Sequence, residues 1–157
     1  MDINSPELME YFLDFSAAVT GFSRFHLLGT GQSTLYFDTV RGVVGGEMLA
    51  ELLETFHQLS LHKIANSEDL AVREIFASGK LGPIARNIMK LWYMATWEAL
   101  PPEWRDLFGT PVNDGTFVAS PHAYQEGLVW SAIGVNPPGA KPPGYESWSY
   151  PPSVSLG

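Results

Sequence analysis

The sequence predicts an all-α fold: a compact bundle of five to six helices over residues 1–133, then a long extended Pro/aromatic C-terminal arm over residues 134–157. Three observations point there. Apolar residues recur at helical spacing along most of the chain. No alternating pattern persists, and only residues 116–120, "TFVAS", hint at a strand. Six of the 12 prolines fall in "VNPPGAKPPGYESWSYPPSVSLG", residues 135–157, which can be neither helix nor central strand. At 157 residues the chain buries about 70% of its unfolded surface, enough for a core without staples.

Each element has a local reason. Ser5 reads as an N-cap, with Pro6 in the first turn and Glu7 near the positive helix end. Leu8, Tyr11, Phe12, Phe15 and Val19 follow at helical spacing until Gly21 stops the helix. Gly29 and Gly31 make a turn, and a second helix is expected over residues 32–44, with Leu35, Thr39, Val40 and Val43 inward. Gly45-Gly46 breaks it. A third helix spans about residues 47–61, carrying Met48, Leu49, Leu52, Leu53, Phe56 and Leu59. Ser67-Glu68-Asp69 caps a shorter helix that ends near Ser78-Gly79.

Gly82-Pro83 opens the most apolar stretch, "IARNIMKLWYMATWEAL", expected to stay helical until Pro101-Pro102. Its polar strip is confined to Arg86, Asn87 and Lys90, so it is expected at the centre of the bundle. Residues 103–108 suit one more short turn, and a last helix is expected over residues 122–132.

Composition narrows the function. Charged residues make up 17% of the chain against a typical ~25%, and aromatics 13%, which suits a surface that lies against another protein. The net charge of -8 argues against nucleic acid and against an anionic membrane surface. The first sixty residues hold eight acids and only Arg24 and Arg41 as bases. With no cysteine, disulfides, thiolate catalysis and Cys-ligated metals are excluded. No stretch approaches the ~20 apolar residues of a membrane span. No leader precedes the first helix, so a native start at Met1 implies the cytoplasm, and a removed or partner-borne export signal the periplasm.

Motifs for chemistry are weak. "LLGTGQST" lacks the Lys and the upstream strand of a phosphate loop, and Thr34 stands where a dinucleotide fingerprint needs its third glycine. Glu54 and His57 have the Glu-x-x-His spacing of helical di-iron sites, but the motif occurs once and His62 lies five residues beyond His57. His26 and His122 are isolated and read as capping or packing residues, and no Gly-x-Ser-x-Gly elbow occurs. Arg86 and Lys90 form a small basic strip for acids of the domain or of a partner. Trp92, Tyr93, Trp97 and Trp104 fit a core better than a stacking site for a ring ligand.

Three stretches carry a resemblance. "IARNIMKLWYMATW" resembles the signature helix of the small subunits of bacterial FAD-dependent sorbitol, fructose and glucose dehydrogenases, Ala-Arg-x-Ile-x-x-x-Trp-Tyr-x-Gly. Ala85, Arg86, Ile88, Trp92 and Tyr93 fit it, and Ala95 replaces the glycine. "FLDFSAAVTGF" is similar to that family's opening helix through Phe15, Ser16, Val19, Thr20 and Gly21. "SPHAYQEGLVW" resembles a Tyr-x-x-Gly/Ala-Leu-x-Trp/Met segment through Tyr124, Gly127, Leu128 and Trp130.

The resemblance implies a non-catalytic small subunit, without flavin or haem. Such a subunit binds and stabilises, or chaperones, a large glucose–methanol–choline family flavoprotein that carries FAD and oxidises a sugar or alcohol hydroxyl. A cytochrome c subunit is a further candidate partner. The expected partner-binding residues are Trp130, Pro137, Pro138, Pro142, Pro143, Tyr145, Trp148 and Tyr150, because stiff Pro-Pro pairs and aromatic rings make low-entropy anchors. Two alternatives stand beside this: a small helical metal enzyme using Glu51, Glu54 and His57, and a self-associating protein that exchanges arms.

Overall fold

A computed structural model of the chain describes residues 6–61, 67–111 and 113–128. Ser5, His62 and the eight expected contact residues from Trp130 to Tyr150 lie outside the described residues.

Helix α1 (Pro6–Thr20) ends where Gly21 turns to φ +79°. Thr20 Oγ1 donates to the Ser16 carbonyl at 2.8 Å and accepts from Phe22 N at 3.2 Å, so the hydroxyl closes the last turn and starts the next segment. A short helix, α2 (Arg24–Gly29), then occupies a stretch expected to be loop. Only Leu27 of its six residues faces inward, too little for any periodicity to show. Helices this short do not hold in water unaided. Ser23 caps α2 by accepting from His26 N at 3.0 Å, and Arg24 ties it to Glu10 and Asp14 of α1.

Gly31, at φ +74°, leads through Gln32 into α3 (Ser33–Val44). Gly45, at φ +92°, turns α3 into α4 (Gly46–Ser60), and α5 (Ser67–Ala77) packs against α4. A Cβ at Gly82 would sit 2.6 Å from the Phe76 carbonyl, so glycine lets α6 (Gly82–Met94) start against the end of α5.

Helix α6 stops well short of residue 100, the end expected from sequence. Ala95 adopts φ +54°, and its N donates to the Leu91 carbonyl at 2.7 Å, a left-handed cap. Strand β1 (Thr96–Trp97) then pairs antiparallel with β2 (Phe117–Val118), Trp97 opposite Phe117, which accounts for the strand hint in "TFVAS". Between them α7 (Pro102–Phe108) is a full helix rather than a single turn. Helix α8 (Pro121–Gln125), capped by Ser120, gives way to a turn at Glu126-Gly127, and residues 129–132 of the expected helix lie outside the described residues.

The fold is all-α as predicted. The described residues form eight helices rather than five to six, the surplus coming from α2 and α7. Helix α6 is buried along Ile84, Ala85, Ile88, Leu91 and Trp92, but it shares the centre with α1, which packs on each of α2 to α6 through residues such as Leu8, Phe12 and Phe15. Of the expected polar strip of α6, only Asn87 is internal. Asn87 is buried, donating to the Glu98 carbonyl at 2.8 Å and accepting from Glu98 N at 3.2 Å. Lys90 pairs with the Glu98 carboxylate at 2.8 Å. Arg86 is exposed and lies over the Phe76 ring.

Candidate partner-binding surface

The three stretches that carry the family resemblance meet in one corner of the fold. Tyr93, near the end of α6, donates its hydroxyl proton to the carbonyl of Thr20, the last residue of α1, at 3.0 Å. A Cβ on Gly127 would lie 2.4 Å from the Tyr93 carbonyl and 3.2 Å from that of Tyr124. The segment after α8 is thus pressed onto the end of α6, backbone against backbone. Gly127→Ala is expected to destabilise the chain by about 1–3 kcal/mol, read by thermal denaturation, because a backbone carbonyl cannot swing aside as a side chain can.

Phe22 extends this corner to α2. Its ring meets Tyr93 edge-on at 6.1 Å and lies 4.8 Å from the His26 ring. His26 is itself exposed, with one face of its ring against Phe22. Beyond it, Phe25 is 87% exposed and Leu28 50%. They are three residues apart, so they share one side of α2. Burying a ring such as Phe25 against a partner would contribute about 1.5–3 kcal/mol.

The helix that presents them is held firmly. Arg24 donates to Glu10 Oε1 at 2.5 Å, to Asp14 Oδ1, and to the Glu10 carbonyl at 3.2 Å. Those bonds, Asp14 first and then Glu10, push the guanidinium above its ordinary range, so it is charged at any working pH. Leu27 is fully buried below, and Thr30 Oγ1 donates to the Leu27 carbonyl at 2.7 Å.

Tyr36 of α3 lies under the same corner. It is buried, its ring meets Trp92 edge-on at 4.9 Å, and burial together with the Glu126 carboxylate pushes its phenol up. It stays protonated. Its hydroxyl, Trp92 Nε1 and Ser16 Oγ have no hydrogen-bond partner among the described residues.

The other candidates are accounted for within the chain. Trp92, Trp97 and Trp104 are core residues. Trp104 Nε1 donates to the Lys80 carbonyl at 2.7 Å. "LLGTGQST" runs from the last residues of helix α2 into the first turn of α3, with a helix rather than a strand leading into it, which removes the phosphate-loop geometry. Glu51 pairs with Lys80 at 2.7 Å, and the His57 ring stacks on Tyr11 at 4.1 Å. No three His, Asp or Glu side chains among the described residues group as metal ligands. No described helix is long and apolar enough to cross a membrane.

Sequence reading missed one notable carboxylate. The Asp114 side chain is fully buried. It accepts from Trp97 Nε1 at 2.9 Å, from Leu100 N at 3.0 Å, and from Arg105 Nε and Nη2 at 3.0 and 2.9 Å. In "NDG" it reads only as a turn residue, and the donors lie up to 17 residues away. Its acceptor capacity is spent on its own chain, so it is a structural node that ties β1 to α7.

No protein-family model, curated protein or solved structure matches this chain.

Proposed function

We propose that the chain is a non-catalytic small subunit that binds and stabilises a large FAD-dependent oxidoreductase of the glucose–methanol–choline class, acting on a sugar or alcohol hydroxyl. The observation that carries this reading is the corner where the three resembling stretches converge. Tyr93 holds Thr20, and Gly127 closes on Tyr93, from three places far apart in sequence. In sequence, the proline- and aromatic-rich stretch of residues 135–157 follows Gly127 by eight residues. The FAD belongs to the partner in this reading.

Co-expression with a glucose–methanol–choline family flavoprotein, sought among the genes on either side of this one, tests it. The flavoprotein is expected to be soluble, FAD-loaded and active with this chain and largely insoluble without it, with the two co-purifying. A flavoprotein equally soluble and active alone overturns the reading.

A further inference from the structure

We propose that Phe25 and Leu28 on α2 form a second grip on that same flavoprotein, inserting into an apolar socket rimmed by lysine or arginine. The inference rests on the function proposed above and deepens it, since only Trp130 and the arm were expected to supply the anchors.

The first support is the way α2 is built. Its six residues bury a single side chain, Leu27, yet a serine cap, a threonine cap and an arginine that bridges two carboxylates hold it. What that bracing presents outward is Phe25, 87% exposed, with Leu28 beside it. An aromatic residue carried on a braced helix loses little backbone freedom on docking, which favours it as an interface anchor.

The second support is position. The described chain ends at Leu128, one residue past the Gly127 that closes on Tyr93, and Tyr93 is joined to α2 through the Phe22 and His26 rings. Residues 129–157 begin at that point, so a partner that takes the arm has the α2 face within reach. Twenty-nine residues follow Leu128.

The third is charge. Glu10 and Asp14 beside α2 share one guanidinium, and their side chains remain 59% and 44% exposed. Two carboxylates against one cation leave a negative rim beside the apolar pair. The first sixty residues carry the same excess, eight acids against two bases. A basic rim on the partner's socket complements it, and the contact therefore weakens as salt rises.

The experiment is co-purification on an affinity tag carried by the co-expressed flavoprotein, at low and high salt. Wild type, Phe25→Asp, Leu28→Asp, Phe25→Leu and Leu107→Asp are compared. Leu107 is 75% exposed on α7 and controls for the chemistry of the change. Capture is expected to fall at least tenfold in Phe25→Asp and Leu28→Asp, to survive in Phe25→Leu and Leu107→Asp, and to weaken with salt in the wild type. Undiminished capture of both aspartate variants overturns the proposal, as does an equal loss in Leu107→Asp. A halved solution mass of the isolated chain in Phe25→Asp would make a second copy the occupant. A lowered melting temperature in Phe25→Asp, matched by truncation after Gly134, would make the chain's own arm the occupant. Either result also overturns it. If the wild type is not captured, the subunit reading itself has failed and this inference falls with it.

Discussion

Asp114→Ala is expected to lower the stability of the isolated chain by about 3 kcal/mol, the cost of removing one partner from a buried, hydrogen-bonded ion pair. The carboxylate is the only group that joins Trp97, Leu100 and Arg105 among the described contacts. Without it the Trp97 N–H and the Leu100 N–H lose their acceptor in a dry site, each at about 1–3 kcal/mol. Arg105 moderates the loss, because its side chain is 30% exposed and can turn to water. Asp114→Asn keeps an acceptor oxygen but turns an amide toward donors, so about half the loss is expected. Urea titration followed by tryptophan fluorescence reads both. A loss under about 1 kcal/mol in the alanine variant would mean that water satisfies the node.

The second large effect separates two tryptophans that look alike in sequence. Both Trp92 and Trp97 are almost fully buried. Trp97 Nε1 donates to Asp114 at 2.9 Å, whereas Trp92 Nε1 has no partner among the described residues. Phenylalanine removes the indole N–H and leaves a small void in either place. At Trp92 only the void counts, since Phe12 and Tyr36 still pack on a ring there. A loss of about 1–2 kcal/mol is expected. At Trp97 the change also removes a donor from a buried carboxylate, and a loss of about 3–4 kcal/mol is expected. Equal losses, measured side by side by chemical denaturation, would show that the hydrogen bond contributes nothing beyond packing.

What was legible in the sequence follows from the range of the forces involved. The long amphipathic helices could be read, because apolar residues such as Leu49, Leu52, Leu53 and Phe56 of α4 repeat over several turns, and because α1 and α3 end at Gly21 and Gly45, whose φ is positive. Helix α2 could not, because it is held by Arg24 reaching back to α1 rather than by its own pattern. The end of α6 was hidden for a related reason. Ala95, Thr96 and Trp97 continue an apolar run, and what turns the chain out of the helix is pairing with residues 117 and 118. Of the candidate surface, the three resembling stretches could be read singly, and their meeting could not, since Thr20, Tyr93 and Gly127 are brought together only by tertiary packing. Phe25 was passed over because exposure leaves no mark in periodicity. The arm residues lie outside the described residues.

Ala95 has an evolutionary consequence. It is the one non-glycine residue among those described with positive φ, and its methyl is fully buried. Glycine there would relieve a left-handed strain of about 1 kcal/mol and forfeit burial of a methyl worth about 0.8 kcal/mol. The two nearly cancel, so lineages can drift between alanine and glycine at this position without crossing a stability barrier. Valine or isoleucine, whose branched Cβ fits neither the dihedral nor the space, lies off that neutral path.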